Sequence, residues 1–180
     1  EYIQSHYNTN DFIPLHAPVF SGNEKKNVAS TIDTTFVSTI GEFVNQFEVE
    51  LANYTSARKA TAVTNGTSAL HAALLTSGVG KGDLVITQPL SFIATCNAIN
   101  YCGAAPVFLD VDLDTMGLSP MAVENFLEEN AFIDYKGCCR LLKSKQRIKA
   151  CVPMHTFGHP MKIDELVELC AIWKIDVIED

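Results

Sequence analysis

Three polar segments of the sequence carry side chains that could bind a ligand. Asn65-Gly66-Thr67-Ser68 lies at a predicted strand-to-helix turn. Free backbone N–H groups, two hydroxyls and a glycine that permits close approach would together bind an anion there. A plain helix N-cap explains the same residues equally well, so both interpretations stay open. Asp180 and His155 each follow an apolar run, and we predict that both lie at the carboxyl ends of parallel strands, where such folds bind ligands.

Two metal-binding patterns fail on spacing. Residues 110–114 alternate Asp with other residues as in a calcium loop, but Thr and Met stand where that loop needs Gly and Glu. Cys151, His155 and His159 are spaced four apart, but the prolines and the glycine around them exclude the continuous helix that would align them. We therefore predict no metal site.

The elements that must position these residues alternate between strands and helices. Apolar runs predict strands at 60–64, 84–87, 106–110, 148–153 and 175–179. Helical periodicity predicts helices at 22–33, 41–55, 67–77, 91–102, 120–129 and 162–174, with Ser91 as an N-cap. The glycine-rich break at 78–82 follows a helix and precedes a strand, so it is interpreted as a connecting turn. Continuous apolar strands separated by helices predict an α/β fold with a mostly parallel sheet covered on both faces, hence three layers.

Composition narrows the class of partner. The chain has 180 residues, is 47% hydrophobic and carries a net charge of −8. This acidic balance argues against binding nucleic acid or an anionic membrane surface. Its most apolar stretch is interrupted by polar residues and prolines, and no signal peptide is recognisable at its start, so no membrane segment is predicted. Six cysteines without a C-x-x-C pair favour reduced thiols in a cytoplasmic protein.

Three sequence blocks carry a family resemblance. They are NGTSALHAALLTSGVGKGDLVITQPLSFIATCNAINYCGAAPVFLDVD, VPMHTFGHPMKIDELVELC and IDVIED. In order and spacing they resemble the large domain of the pyridoxal phosphate (PLP)-dependent sugar aminotransferases of the DegT/DnrJ/EryC1/StrS family, from about Phe12 to Asp180. FIPLHAPVFSGNE and HTFGHP resemble the branch that aminates nucleotide-linked 4-keto-6-deoxyhexoses for legionaminic-acid-type surface sugars.

The resemblance implies a truncated large domain of PLP fold type I. Residues 41–180 would form its N-terminal part, preceded by a segment at 1–40 with a helix and a substrate or interface loop. Gly66, Thr67 and Ser68 would hold the cofactor phosphate, which agrees with the anion-binding interpretation. Phe92 would stack on the pyridine ring, or else be a core residue at a helix start. Asp180 would pair with the pyridine nitrogen and keep it protonated.

The lysine that binds the cofactor covalently is expected beyond Asp180 by resemblance. Lys59, Lys81, Lys143 and Lys174 lie at element ends or in loops and match no such motif. We therefore expect this chain to be a fragment that is inactive alone. The intact enzyme would transfer an amino group from an amino acid, by expectation glutamate, to a nucleotide sugar. A dehydratase of the same family, with His in place of Lys, and a non-catalytic nucleotide-sugar or cofactor-binding module remain alternatives.

The resemblance also implies a homodimer with active sites at the subunit interface. The link at 35–40 is short, apolar and not helical, and Phe36, Ser38 and Thr39 are predicted to line the sugar side of a site. His155 is a further predicted substrate contact. Packing of the link under the helix of its own chain that starts at Gly41 is the alternative.

Overall fold

The structure is a computed structural model that describes residues 1–14, 17–38 and 40–180. It divides into two units, Glu1–Ala62 and Val63–Asp180. The N-terminal unit contains helices α1 (Tyr2–His6), α2 (Glu24–Asp33) and α3 (Glu42–Thr55), and the last two confirm the predicted helices at 22–33 and 41–55. Within the described ranges, none of these three helices contains a buried residue.

The C-terminal unit is built on a four-stranded parallel sheet. Its strands are β1 (Leu84–Thr87), β2 (Ala105–Phe108), β5 (Ile148–Val152) and β6 (Asp176–Val177). Their order across the sheet is β2-β1-β5-β6, and every neighbouring pair is parallel. The parallel sheet predicted from the continuous apolar runs is therefore confirmed. Over the described ranges, no helix is both long and apolar enough to cross a bilayer.

Two pairs of helices cover the sheet. Helices α4 (Gly66–Thr76) and α5 (Ile93–Tyr101) pack on one face, where Leu74 and Ile99 join Val85 of β1 in one buried cluster. Helices α6 (Pro120–Asn130) and α7 (Ile163–Trp173) cover the other face, where Leu127 and Leu166 pack with Ile86 in a second cluster. Alternate residues of β1 thus face opposite layers, as the pleat requires. The unit has the three predicted layers.

An ion pair between Arg147 and Asp83 stabilises the turn that joins α4 to β1. Gly78 and Gly82 have φ of 80° and 86°, which glycine adopts without strain. Arg147 donates from Nε to Asp83 Oδ1 at 2.8 Å and from Nη2 to Asp83 Oδ2 at 2.5 Å. Burial alone would raise the pKa of Asp83, but hydrogen bonds from Arg147 and the Gly80 N–H hold it below its usual value. The 78–82 break is thus a connecting turn, as expected.

Two predictions about strands are wrong. Residues 60–64 form no strand, because no strand in the described part of the chain pairs with their backbone. A two-stranded antiparallel hairpin, β3 (Ala131–Ile133) and β4 (Cys139–Leu141), was not predicted. In its turn, Asp134 accepts hydrogen bonds from Arg140 Nε and from the N–H groups of Lys136 and Cys138, which lower its pKa to about 2.

Candidate functional site

The carboxyl edge of the parallel sheet brings four segments together. Strands β1, β5 and β6 end at this edge and continue into 88–92, 153–160 and 178–180. Helix α4 leads through the tight 78–82 turn into β1 and therefore runs antiparallel to it. Its N-terminus lies toward the same edge. Parallel α/β sheets bind ligands at this edge.

Asp180 is anchored by its backbone and by its side chain. Its N–H donates to the Pro153 carbonyl at 2.9 Å, and its carbonyl accepts from the His155 N–H at 3.0 Å. These bonds continue the pairing of β5 and β6 past the strand ends. Asp180 Oδ2 accepts a hydrogen bond of 2.5 Å from Thr95 Oγ1 in the first turn of α5. Among the described residues, Oδ1 accepts none, so one carboxylate oxygen is left for a ligand.

Helix α5 begins one residue later than expected. Phe92, not Ser91, is the N-cap, with extended backbone (φ −74°, ψ 146°) and no side-chain cap. The prediction that Ser91 caps the helix is wrong, because its hydroxyl lies 2.9 Å from Thr95 Oγ1. The Phe92 side chain is 74% exposed, so it is not a core residue. An exposed ring beside this edge can stack on a planar group.

The N-terminus of α4 offers hydrogen-bond donors. Asn65 Oδ1 accepts from the Ser68 N–H at 2.9 Å, so the plain N-cap is present. The N–H groups of Gly66 and Thr67 donate to no partner among the described residues. A Cβ at Gly66 would meet nothing within 4 Å, so this backbone is open to approach. Capping thus coexists with two free N–H groups and two hydroxyls that suit a phosphate.

Gln88 was not singled out from the sequence, yet it organises this edge. It is fully buried immediately after β1. The two protons of its Nε2 are shared among the Leu90 carbonyl (2.9 Å), Thr156 Oγ1 (3.2 Å) and the Met116 carbonyl (3.4 Å). Its Oε1 accepts from the N–H groups of Leu118 (2.7 Å) and Met154 (3.2 Å). One amide therefore fixes the relative positions of three loops. No sequence signal marks it except its place at a strand end.

Strained backbone lies beside this amide. Met116 and Phe157 have φ of 56° and 53°, the left-handed region that bulky residues avoid. The Thr156 hydroxyl donates to the Met116 carbonyl at 2.7 Å and stabilises both turns. A cavity of about 250 Å³ lies between them, and the Phe157 ring is 85% exposed. Such conformations concentrate at functional sites.

His155 lies after β5, but the protein occupies both of its ring nitrogens. Nδ1 accepts from the Met161 N–H at 3.2 Å, so that nitrogen carries no proton. Nε2 lies 3.0 Å from Glu179 Oε2 and donates to it. The ring therefore joins the 155–161 loop to the end of β6. Its contact with a substrate stays a prediction.

Lys162 has no free amine to offer as a nucleophile. Its Nζ lies 2.8 Å from Asp112 Oδ2 and 3.2 Å from Asp114 Oδ2. Hydrogen bonds to these carboxylates raise the pKa of Lys162. Within the described ranges, no group of three or more His, Cys, Asp or Glu side chains is arranged to hold a metal ion.

The predicted substrate loop belongs to the N-terminal unit. Phe36 lies beside the start of α3, since a Cβ at Gly41 would be 3.6 Å from its Cβ, yet Phe36 is 62% exposed. Ser38 is also exposed. Thr39 lies outside the described residues. The role of these residues at the site stays a prediction.

The sequence and the fold of this chain are both similar to those of known proteins. The chain is 36% identical over 169 residues to GDP-perosamine synthase of Escherichia coli O157:H7, covering 94% of this chain and 42% of that protein. The aminotransferase of Psychrobacter cryohalolentis superposes with a TM-score of 0.75 at 31% identity, covering 93% of this chain and 38% of that one.

A structure of NtdA from Bacillus subtilis, with bound cofactor PMP, superposes with a TM-score of 0.72 at 26% identity and covers 94% of this chain and 37% of its own. The chain thus spans about two fifths of the length of these relatives. The sequence profile of the DegT/DnrJ/EryC1/StrS aminotransferase family matches residues 19–180. The chain belongs to this family.

Proposed function

We propose that this chain is the N-terminal part of the cofactor-binding domain of a PLP-dependent sugar aminotransferase. The whole protein would transfer an amino group from an amino acid, by expectation glutamate, to a nucleotide-linked 4-keto-6-deoxyhexose. The observation that supports this proposal is that the N-terminus of α4, the Phe92 ring and the Asp180 carboxylate all lie toward the carboxyl edge of the sheet. Among the residues that the structure describes, two N–H groups at the α4 N-terminus and Asp180 Oδ1 have no hydrogen-bond partner, and Phe92 is exposed.

These residues fit the chemistry of PLP. Gly66, Thr67 and Ser68 would hold the phosphate through N–H groups and hydroxyls. Phe92 would cover one face of the ring, and Asp180 Oδ1 would accept a hydrogen bond from the protonated pyridine nitrogen. When bound, PLP supplies an electron sink for the carbon that loses its proton. An anionic Asp180 favours the protonated ring nitrogen, because opposite charges at close range stabilise each other.

The sugar side of the proposal is supported by relatives and by exposed residues. GDP-perosamine synthase is a relative whose name refers to a nucleotide-linked sugar. Phe36, Ser38 and Thr39 of the 35–40 link and His155 are proposed to contact the sugar. We further propose that the whole protein is a homodimer that acts in the cytoplasm, in the synthesis of surface polysaccharide or antibiotic sugars.

Product analysis of the whole protein tests this function. The protein would be incubated with PLP, glutamate and a panel of GDP-, UDP- and dTDP-linked 4-keto-6-deoxyhexoses, and the products identified by mass spectrometry. We expect an amino sugar and stoichiometric 2-oxoglutarate. Loss of a hydroxyl without gain of nitrogen would show a dehydratase, and binding without any product would show a binding module.

Two controls accompany that assay. Asp180→Asn keeps the size of the side chain but removes its charge, so we expect cofactor to remain bound while most turnover is lost. Near-normal turnover in this variant would contradict the role of Asp180. The 180-residue chain alone is expected to turn over no substrate, because by family resemblance the covalent lysine lies beyond Asp180.

A further inference from the structure

We propose that Thr95 and Ser91 are positioning residues that orient the Asp180 carboxylate toward the cofactor. This inference rests on the proposed function. Thr95 Oγ1 lies 2.5 Å from Asp180 Oδ2, and Ser91 Oγ lies 2.9 Å from Thr95 Oγ1. The three groups come from a loop, a helix and a strand end, so the contact joins separate elements of the fold.

The direction of these hydrogen bonds follows from their proton count. An ionised carboxylate only accepts, so the Thr95 hydroxyl gives its one proton to Asp180. Thr95 Oγ1 is then the acceptor in its 2.9 Å contact with Ser91 Oγ, whose single proton also has the Phe92 carbonyl at 3.3 Å and Met154 Sδ at 3.6 Å as alternative acceptors. Donation over the shortest of these distances gives a hydrogen-bond relay from Ser91 through Thr95 to Asp180 Oδ2. Because Oδ2 is occupied, Oδ1, which accepts no hydrogen bond from the described residues, is the oxygen available to the cofactor nitrogen.

Burial of Thr95 and its position at the start of α5 strengthen its hydrogen bond to Asp180. Thr95 is only 1% exposed, so water does not compete for its hydroxyl. It lies in the first turn of α5, and its N–H donates to the Phe92 carbonyl at 3.2 Å. The partial positive charge of a helix N-terminus stabilises an anion such as Asp180.

The backbone hydrogen bonds of Asp180 do not set the orientation of its carboxylate, which depends on the side chain's own partners. Its hydrogen bonds to Pro153 and His155 fix the main chain but not the rotation of the carboxylate. Without Thr95, the carboxylate would rotate about its Cβ–Cγ bond, and neither oxygen would be held in a fixed position for the cofactor nitrogen. We therefore expect Thr95 to act on cofactor binding and turnover in addition to any contribution that its buried hydroxyl makes to folding.

Thr95→Val in the whole protein tests the inference. This change keeps the shape and removes the hydroxyl. We expect the Kd for PLP to rise about tenfold, the size of one hydrogen bond to a charged group. The circular dichroism of the bound cofactor should change as well. Thr95→Ser restores the hydroxyl and should restore both readouts.

Thr87→Val is the matched control. Thr87 is fully buried at the end of β1 and donates to the Val152 carbonyl at 2.7 Å, so it loses an equivalent hydrogen bond without touching Asp180. Both variants should lose similar stability in urea unfolding, and only Thr95→Val should weaken PLP binding. In the Asp180→Asn background, Thr95→Val should have little further effect on the Kd.

The outcomes are distinct. A Kd and a dichroism spectrum for Thr95→Val that match those of Thr87→Val, in a protein whose wild type binds PLP and aminates sugar, would overturn the inference alone. A wild-type protein that binds no PLP would overturn both the inference and the proposed function. If Thr95→Val does not fold, Ser91→Ala decides instead, with a smaller rise in the Kd of about threefold as the expected result. An unchanged Kd for Ser91→Ala would then overturn the inference.

Discussion

At the scale of residues, the hydroxyls at the start of α4 are predicted to bind phosphate. Replacing both, as in Thr67→Ala with Ser68→Ala, removes two charge-assisted hydrogen bonds worth about 1.5–3 kcal/mol each. We expect the Kd for PLP to rise at least about a hundredfold, while the Asn65 cap preserves the helix. Fluorescence titration with PLP measures this.

The same helix offers the control for this prediction. Thr76→Ala with Ser77→Ala makes equivalent changes at the other end of α4, where Thr76 Oγ1 only donates back to the Ala72 carbonyl. This control should bind PLP as the wild type does. Equal Kd values for wild type and the 67/68 variant would mean that this turn is only an N-cap.

The four buried cysteines are predicted to be inert in the folded protein. All six are free, and Cys102, Cys139, Cys151 and Cys170 are buried. Burial raises the pKa of Cys139 to about 12, and contact with Cys170 together with burial raises that of Cys151. Because the thiolate is the reactive form, these thiols stay unreactive at neutral pH.

Thiol labelling followed by peptide mapping checks this. We expect rapid labelling only at the half-exposed Cys96 and Cys138, and labelling of all six after unfolding in urea. Rapid labelling of Cys151 or Cys170 in the native protein would contradict the prediction. It would mean that α7 opens readily from the sheet.

At the scale of elements, the buried Gln88 amide is predicted to stabilise the loops of the carboxyl edge. Gln88→Ala leaves the N–H groups of Leu118 and Met154 without their acceptor in a buried setting. We expect a loss in the free energy of unfolding on the order of 3 kcal/mol. Urea denaturation of the variant measures it.

Gln146→Ala serves as the control for Gln88. Gln146 is exposed, and its Nε2 makes one long bond of 3.4 Å to the Gly82 carbonyl. The same truncation should therefore change stability by less than about 0.5 kcal/mol. A similar small effect at Gln88 would show that the three loops hold their positions by other contacts.

The sequence predicts features that depend on neighbouring residues and misses those that depend on contacts between residues far apart in the chain. β1 is predicted at 84–87 as observed, because a short apolar run needs only its own residues to be recognised. The β3–β4 hairpin has strands of three residues, too short for a period to show. Gln88 acts through partners 28 and more residues away, which no local pattern reveals. Asp180 was placed at a strand end by pattern, whereas its bond to Thr95 depends on the fold.

At the scale of the whole molecule, the N-terminal unit exposes several large apolar side chains along the link between α2 and α3. Phe36, Val37 and Ile40 are 62%, 71% and 74% exposed. The link and helices α2 and α3 border a groove of about 1050 Å³. Contiguous apolar surface of this kind marks an interaction site. It supports the proposal that the whole protein is a homodimer.

The last prediction concerns the link at 35–40 in that dimer. Phe36→Ala with Ser38→Ala should raise the KM for the nucleotide sugar about fivefold, the size of one lost contact, and leave the KM for glutamate unchanged. Phe12→Ala is the control, because Phe12 is an exposed ring of the same unit outside the link. Sedimentation should show a dimer for all three proteins. A monomeric wild type, or a variant with both KM values unchanged, would leave the link a purely structural connection between α2 and α3.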